Sequence, residues 1–442
     1  MHTVVLPVDI KSRCFLGKLW LANTIIGDRR TISKALPDIE PDFYLAMGAL
    51  DEKTRYFKKL KDNSVIIGVH DTEGMYNTSA GQFINKYSSD ALDLADLHFS
   101  WGSSQSEALK KKYGPDKIKT VVSGSPRFDL LHPELNTIYS ESKNIENTDK
   151  FLLVITNFTA VNNYDSNRNM DKSDDYYKWE RLTMEKYLEY ITEMNKKFEF
   201  PIIIRPHPAE SPSPYDVFAS NHDNVYVRDE GSVRSYLFSA SAVIHSGSTV
   251  AIESNIMGKP TIAFNPEPWH QLPKETSEAS YSISSMKELV TEVSSIFNKQ
   301  SGGRLKNPPI DEIIGDRLYN CTEVKSAEII SNEIKKELSN IPKKEQDEIS
   351  NYNDVSVINK MAYNHKISRY LYRYSNIISG LDFLFSSSTP SISGQRFNMF
   401  PELTKKEITS YSSTVILSSD VSVRRVGKWA NLFEISIKND KY

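Results

Sequence analysis

Cysteine is nearly missing from this chain: among 442 residues only Cys14 and Cys321 occur, far apart in sequence. They make neither a disulfide framework nor a metal-ligand pattern, and a reducing cytoplasm suits them. Long apolar runs are missing too, since no stretch approaches the roughly 20 apolar residues that span a bilayer. The opening Met1-His2-Thr3-Val4-Val5-Leu6-Pro7-Val8 lacks the basic region and long apolar core of a secretory signal, and reads as a first strand. Charge of one sign is not in excess. The net charge of −3 gives no argument for nucleic acid as a partner, although local basic clusters leave contact with an anionic membrane surface open. No repeat, heptad or collagen-like period is present. What remains is an ordinary globular composition, 25% charged and 39% hydrophobic, in a chain too long for one core. Two domains are expected.

The first third alternates strand-like and helix-like segments. Val4–Val8, Tyr44–Met47, Val65–Val69 and Ile118–Val122 read as strands, and Arg13–Ile26 reads as a helix with apolar spacing. Leu92–Phe99 is too short and mixed to assign. Such alternation implies a parallel sheet with crossover helices. The polar stretch Asn136–Lys150 reads as an interdomain linker, and Phe151–Ile155 opens a second α/β unit that ends in the polar turn Thr156-Asn157-Phe158. A long helix is expected over Tyr176–Phe198. The alternation fades after about Asn298. From roughly Pro308 the chain becomes helical, with a Lys/Glu-rich segment over Lys335–Glu348 and an aromatic-basic run over Lys366–Phe385. That run reads first as core packing, with a membrane-surface helix as the alternative.

Two segments carry chemistry. Pro201-Ile202-Ile203-Ile204 reads as a buried strand that delivers Arg205-Pro206-His207-Pro208 to its carboxyl end, where open α/β sheets bind ligands. Arginine offers a fork of donors to phosphate, and histidine donates a hydrogen bond or a proton near neutral pH. A surface Pro-rich turn is the bland alternative. Ser241-Ala242-Val243-Ile244 is a second short strand, followed by His245-Ser246-Gly247-Ser248-Thr249 and a helix over Val250–Met257 that ends before Gly258. Gly247 allows a tight turn, and Ser248 and Thr249 stand where hydroxyls and free N–H groups face an anion. An ordinary capped helix explains Ser248 and Thr249 but not His245.

Five segments then fall in order: Pro7-Val8-Asp9-Ile10-Lys11-Ser12-Arg13, Asp71-Thr72-Glu73-Gly74, Gly124-Ser125-Pro126-Arg127-Phe128-Asp129, Arg205-Pro206-His207-Pro208, and His245 to Glu253. Over roughly residues 1 to 290 the chain resembles bacterial surface carbohydrate (surface polysaccharide) biosynthesis proteins of GT-B glycosyltransferase type. Within that class it also resembles bacterial sialyltransferases and polysialyltransferases, which use a CMP-activated sugar. Glu73-Gly74 matches their acidic motif, His207-Pro208 the His-Pro motif, and Ser248-Thr249 the Ser/Thr motif. Thr72 departs from the strict pattern, which has a carboxylate there, and Asp71 is the stand-in.

The resemblance implies an α/β, GT-B-like fold: two Rossmann-like domains facing a cleft, with a C-terminal, mostly helical extension. Its boundaries are expected at 1–145 for an acceptor domain, 150–305 for a nucleotide-sugar domain and 306–442 for the extension. A carboxylate at a strand end takes the proton of the attacking hydroxyl, with Glu73 the first choice and Asp71 the second. A polar turn in which Asp71 caps a helix is the alternative for both. His207 assists departure of the nucleotide phosphate. Arg205, Pro208, His245, Ser246, Gly247, Ser248, Thr249, Glu253 and Asn157 make up the nucleotide side. Within that set Arg205 either joins the nucleotide, orders its loop or pairs with a carboxylate, and Glu253 either meets ribose hydroxyls or is a solvated helix carboxylate. Lys11, Arg13 and Arg127 are acceptor candidates, against helix capping for the first two and a structural salt bridge for the third. The scheme requires no metal and no cofactor beyond a nucleotide-sugar donor, and no Asp-x-Asp motif occurs. The implied setting is cytoplasmic, peripheral at the inner membrane face, with a glycan or lipid-linked acceptor. Rivals are a CDP-glycerol-type glycerophosphotransferase, a nucleotide-sugar epimerase and a non-catalytic glycan-binding subunit.

Overall fold

The computed structural model describes residues 4–7, 24–27, 41–71, 74, 84–132, 139, 150–165, 169–229, 231–269, 274–297, 307–319, 326–341, 421–425 and 432–437. The chain divides into two compact units. Unit 1 comprises Met1–Leu130 and Asp316–Tyr442, and unit 2 comprises Leu131–Gly315.

In unit 1 the strands are β1 (Val4–Pro7), β2 (Thr24–Gly27), β3 (Phe43–Ala46), β4 (Ile66–His70), β5 (Leu97–Ser100) and β6 (Lys119–Val122). Unit 2 holds β7 (Leu152–Ile155), β8 (Ile202–Arg205), β9 (Val225–Val227), β10 (Ala242–His245), β11 (Thr261–Phe264) and β12 (Tyr281–Ile283). The last two strands, β13 (Val421–Arg425) and β14 (Leu432–Ile437), return to unit 1. Its sheet runs β13-β14-β2-β1-β3-β4-β5-β6, parallel except for the antiparallel pairs β13–β14 and β14–β2. The sheet of unit 2 is parallel throughout, in the order β12-β11-β10-β7-β8-β9. That is the Rossmann order, with the reversal between β7 and β10.

Apolar runs buried on both faces explain why these segments form central strands. Leu152, Val154, Ile202, Ile204, Ala242 and Ile244 pack on one face with Tyr187, Tyr190, Ile191 and Met194 of the helix Asp175–Lys197. Phe151, Leu153, Ile155, Ile203 and Val243 pack on the other with Leu237 of the helix Val233–Ser239. The alternation is the period of two that a strand imposes. In unit 1, Tyr44, Ala46, Ile67 and Val69 meet Phe57 and Leu60 of the helix Thr54–Asp62 and Ala91 and Leu92 of Ser89–Leu94.

Two local expectations change. Arg13–Ile26 is not helical at its end, because Thr24–Gly27 is a strand between β1 and β14. The β-branched Thr24, Ile25 and Ile26 favour the pleated state. Leu92–Phe99 resolves into the end of a helix and a buried strand, separated by Ala95-Asp96. Among the described residues beyond 306 there are the helices Ile310–Ile314 and Ser326–Leu338 besides β13 and β14. The run Lys366–Phe385 lies outside the described residues, as does most of Asn136–Lys150. Among the described residues no helix is long and apolar enough to cross a membrane.

Candidate functional site

In unit 2 the strand order puts the ligand crevice at the carboxyl ends of β7 and β10. The segments that emerge there are Thr156-Asn157-Phe158 and Ser246-Gly247-Ser248, with His207 arriving from the neighbouring β8. Sequence reasoning placed candidates on all three.

The loop after β8 is fastened from below. Arg205 sends its guanidinium to main-chain oxygens, with Nη1 donating to Arg228 O at 2.9 Å and Nη2 to Gly231 O at 2.7 Å. It also lies over the Tyr236 ring at 5.0 Å. Two of its donors thus go to main-chain oxygens, an arrangement that orders the loop. His207 is half-buried and its Nδ1 accepts the Ala209 N–H at 3.1 Å. A main-chain amide can only donate, so the neutral imidazole carries its proton on Nε2. Pro208 is exposed beside it.

Glu210, absent from the sequence-derived set, is the centre of this region. Its buried carboxylate accepts from Thr156 Oγ1 at 3.0 and 3.1 Å, from Phe158 N–H at 2.9 Å and from His207 N–H at 3.3 Å. Tyr215 donates its hydroxyl to the same group. Burial pushes the Glu210 carboxyl up, and those donors oppose the shift. A second buried acid, Glu180, accepts from Ala160 N–H at 2.7 Å and Val161 N–H at 2.9 Å. Burial raises it to about 7 despite those two bonds. Asn157 is half-buried between residues that Glu210 holds. The only hint in the sequence was an acid closely following Arg205-Pro206-His207-Pro208.

At β10 the residues separate into core and rim. His245 is fully buried: its Nε2–H donates to Ser280 Oγ at 2.8 Å, while the Ser280 hydroxyl donates to Thr276 O at 2.7 Å. Burial lowers its pKa to about 3, so it is a neutral core histidine and the nucleotide-contact expectation is corrected. Ser246 is buried as well. Gly247 has φ of +72°, a left-handed turn that disfavours side chains. Ser248 Oγ accepts the Val250 N–H at 3.3 Å, whereas the exposed Thr249 makes no side-chain cap. Glu253 also needs correction. Arg234 grips it with Nε at 2.9 Å and Nη2 at 3.2 Å, and the two side chains are 2% and 3% exposed. A carboxylate so enclosed neither meets a ribose nor sits in solvent.

In unit 1, Lys11, Arg13, Thr72 and Glu73 lie outside the described residues, while Asp71 and Gly74 are described. Asp71 is buried and engaged: Lys86 Nζ stands 2.7 Å from Oδ2, and Tyr87 O–H donates to the same oxygen at 3.1 Å. Trp101 Nε1–H donates to its carbonyl at 2.8 Å. These bonds tie Asp71 into the framework of unit 1. Gly74 lies against Trp101, where an added Cβ would come within 2.3 Å of the indole. His98, behind Tyr87, is held neutral by burial, with a pKa of about 3. Arg127 is half-buried, with its guanidinium 5.8 Å from the Trp101 ring and 5.0 Å from the Phe128 ring.

The rest of that motif serves the returning chain. Gly124, at φ +74°, leaves no room for a Cβ, which would stand 2.3 Å from Tyr319 O and 2.5 Å from Ser326 Oγ. Asp129 accepts from Ser326 N–H at 3.2 Å and Ala327 N–H at 2.8 Å, capping the helix Ser326–Leu338. Burial raises its pKa to about 6. Among the described residues no group of three His, Cys, Asp or Glu side chains is gathered to hold a metal ion.

No protein-family model matches this sequence, and comparison with curated proteins gives no match. Solved structures do align. A protein from Listeria monocytogenes assigned as a UDP-N-acetylglucosamine 2-epimerase superposes with TM-score 0.50 at 13% identity, over 78% of this chain and 98% of the other. The UDP-GlcNAc 2-epimerase of Methanocaldococcus jannaschii gives 0.50 at 13% identity, over 76% and 99%. The wall teichoic acid polymerase TagF gives 0.49 at 12%, over 77% and 89%. At such identities the first two alignments establish a fold and no chemistry. The fold of this chain is GT-B-like, built from two Rossmann-like α/β domains, as the sequence led one to expect.

Proposed function

We propose that this chain is a GT-B-type glycosyltransferase that moves a sugar from a nucleotide-activated donor to a surface polysaccharide or glycolipid acceptor. The donor put forward is a CMP-linked ulosonic acid, sialic-acid-like or Kdo-like. The observation that carries the reading is His207. It stands at the carboxyl end of β8, next to the crevice strands, with Nδ1 occupied by Ala209 N–H, which leaves the proton on Nε2. In the reaction the acceptor hydroxyl attacks the anomeric carbon and the bond from that carbon to the phosphate oxygen breaks. Glu73 takes the hydroxyl proton, and the Nε2–H of His207 donates to the departing phosphate. Ser248 and the turn at Gly247 belong on the phosphate side, and Asn157 on the nucleotide side. A lipid-linked acceptor calls for transient contact with the inner face of the membrane and a cytoplasmic enzyme.

The test is a thermal-shift comparison of the full chain with CMP, CDP, UDP, GDP and TDP. A ligand that binds only the folded state stabilises it by mass action, by about 2.7 kcal/mol at a hundredfold excess over Kd, and so raises the midpoint. The expected result is a rise with CMP that His207→Ala abolishes. A shift with UDP alone redirects the reading to a nucleotide-sugar epimerase, and one with CDP alone to a glycerophosphotransferase. Silence with every nucleotide sinks the transferase and leaves a non-catalytic glycan-binding subunit.

A further inference from the structure

We propose that Glu210 is the positioning residue of this site: one buried carboxylate sets the tautomer of His207 and the placement of Asn157 together. The meaning of that tautomer for catalysis rests on the transferase reading, whereas the geometry concerns the chain alone. Glu210 is 3% exposed, and among the described residues it has no cationic partner within ion-pair distance. A carboxylate in such a place is stabilised by neutral donors. They come from the loops after β7 and β8 and from Tyr215 on the helix Ser213–Ala219. Thr156 and Phe158 flank Asn157, so Glu210 holds the chain on both sides of it. Oε1 accepts both the Phe158 N–H at 2.9 Å and the His207 N–H at 3.3 Å, which ties one loop to the other.

That second bond fixes the main chain of His207 at the head of the turn His207–Glu210, closed by Glu210 N–H donating to His207 O at 2.8 Å. Inside this turn Nδ1 reaches the Ala209 N–H. The tautomer therefore follows from the turn, and the turn from the carboxylate. A leucine here has similar bulk but no oxygen, so the N–H groups of Phe158 and His207 and the hydroxyls of Thr156 and Tyr215 lose their common acceptor. The turn then loses an anchor and Nδ1 loses its fixed donor.

The experiment uses full-length protein labelled with 15N-histidine, the signals of His207 being identified by their loss in His207→Asn. Nitrogen shifts and couplings report which ring nitrogen carries the proton, and CMP affinity is titrated in parallel. Wild type is expected to show the Nε2–H form. Glu210→Leu is expected to show a mixture, with CMP affinity weakened about tenfold, the order seen when the partner that orients a histidine at a metal site is removed. Arg234→Met is the control for lost stability and is expected to leave the tautomer unchanged. Should Glu210→Leu fail to fold, Glu210→Asp, whose oxygens sit one methylene further back, is read in the same way. An Nδ1–H form in wild type, or an unchanged tautomer in a folded Glu210 variant, overturns the proposal. A wild type that binds no nucleotide, yet shows the Nε2–H form and loses it in Glu210→Leu, removes the transferase reading and leaves Glu210 as the positioning residue.

Discussion

At the scale of the residue, this chain separates side chains that face a ligand region from those committed to the fold. The Arg234–Glu253 pair belongs to the second kind. Removing one partner leaves an uncompensated buried charge, a cost of about 3–5 kcal/mol, whereas replacing both with apolar residues of similar volume is often neutral. Arg234→Met is expected to lower the urea midpoint strongly, and adding Glu253→Met is expected to recover most of the loss. Equal midpoints for Arg234→Met and wild type would show that the pair carries no such weight. The pair also shows what a linear sequence hides. Glu253 on its helix looks like an ordinary solvated acid because its partner lies 19 residues earlier on another helix. Glu210 was hidden for a related reason, since Thr156 and Phe158 lie more than 50 residues upstream and two of its bonds come from backbone N–H groups of no distinctive sequence. The turn at Gly247 and the local bonds of His207 and Ser248 were legible because neighbouring residues make them.

At the scale of the element, central strands were read well and edges poorly. β7, β8, β10 and β11 are short continuous apolar runs with polar turns after them, the pattern of strands buried on both faces. β2 was misread as the end of a helix because its outer partner, β14, comes some 400 residues later and nothing nearby announces it. The helix Ser326–Leu338 illustrates a cap supplied from a distance, by Asp129. Because the folded carboxyl titrates near 6 and the ordinary value is 3.8, the folded state holds its proton more tightly. The stability linked to this group is thus complete below pH about 3.8 and is lost as pH rises through about 6. Asp129→Asn keeps an acceptor oxygen and removes the titration. Its midpoint is expected to gain on that of wild type across this window and to run parallel above it. Denaturation curves collected from pH 4 to pH 8 check this, and a constant offset throughout would contradict the burial of Asp129.

For the whole molecule, the two units differ in how the chain enters them. Unit 2 is one continuous stretch, Leu131–Gly315, with a complete Rossmann sheet. Unit 1 is assembled from both ends of the sequence. A fragment spanning residues 131–315 is therefore expected to unfold cooperatively on its own. A fragment of residues 1–130 lacks β14 beside β2 and the helix seated against Gly124, and is expected to be protease-sensitive. Calorimetry and limited trypsin digestion of the two fragments separate these outcomes. A stable fragment 1–130 would mean that the returning strands are an ornament and not part of the fold. The sequence reading anticipated two α/β domains but not that the chain closes the first one last, because that pairing is carried by backbone bonds between distant β-rich segments.

This closure has a consequence for how the protein is made. A ribosome releases the first 130 residues long before it reaches Leu432–Ile437, about 300 residues later, and elongation at ~5–20 residues per second makes that delay on the order of half a minute. Throughout that interval the backbone groups of β2 that will face β14 have no strand to pair with, an edge of the kind that invites unwanted partners. The second unit, by contrast, has its whole sheet as soon as Gly315 emerges. Birth order and completion order are thus inverted in this chain: the unit whose synthesis begins first is the one whose sheet is finished last.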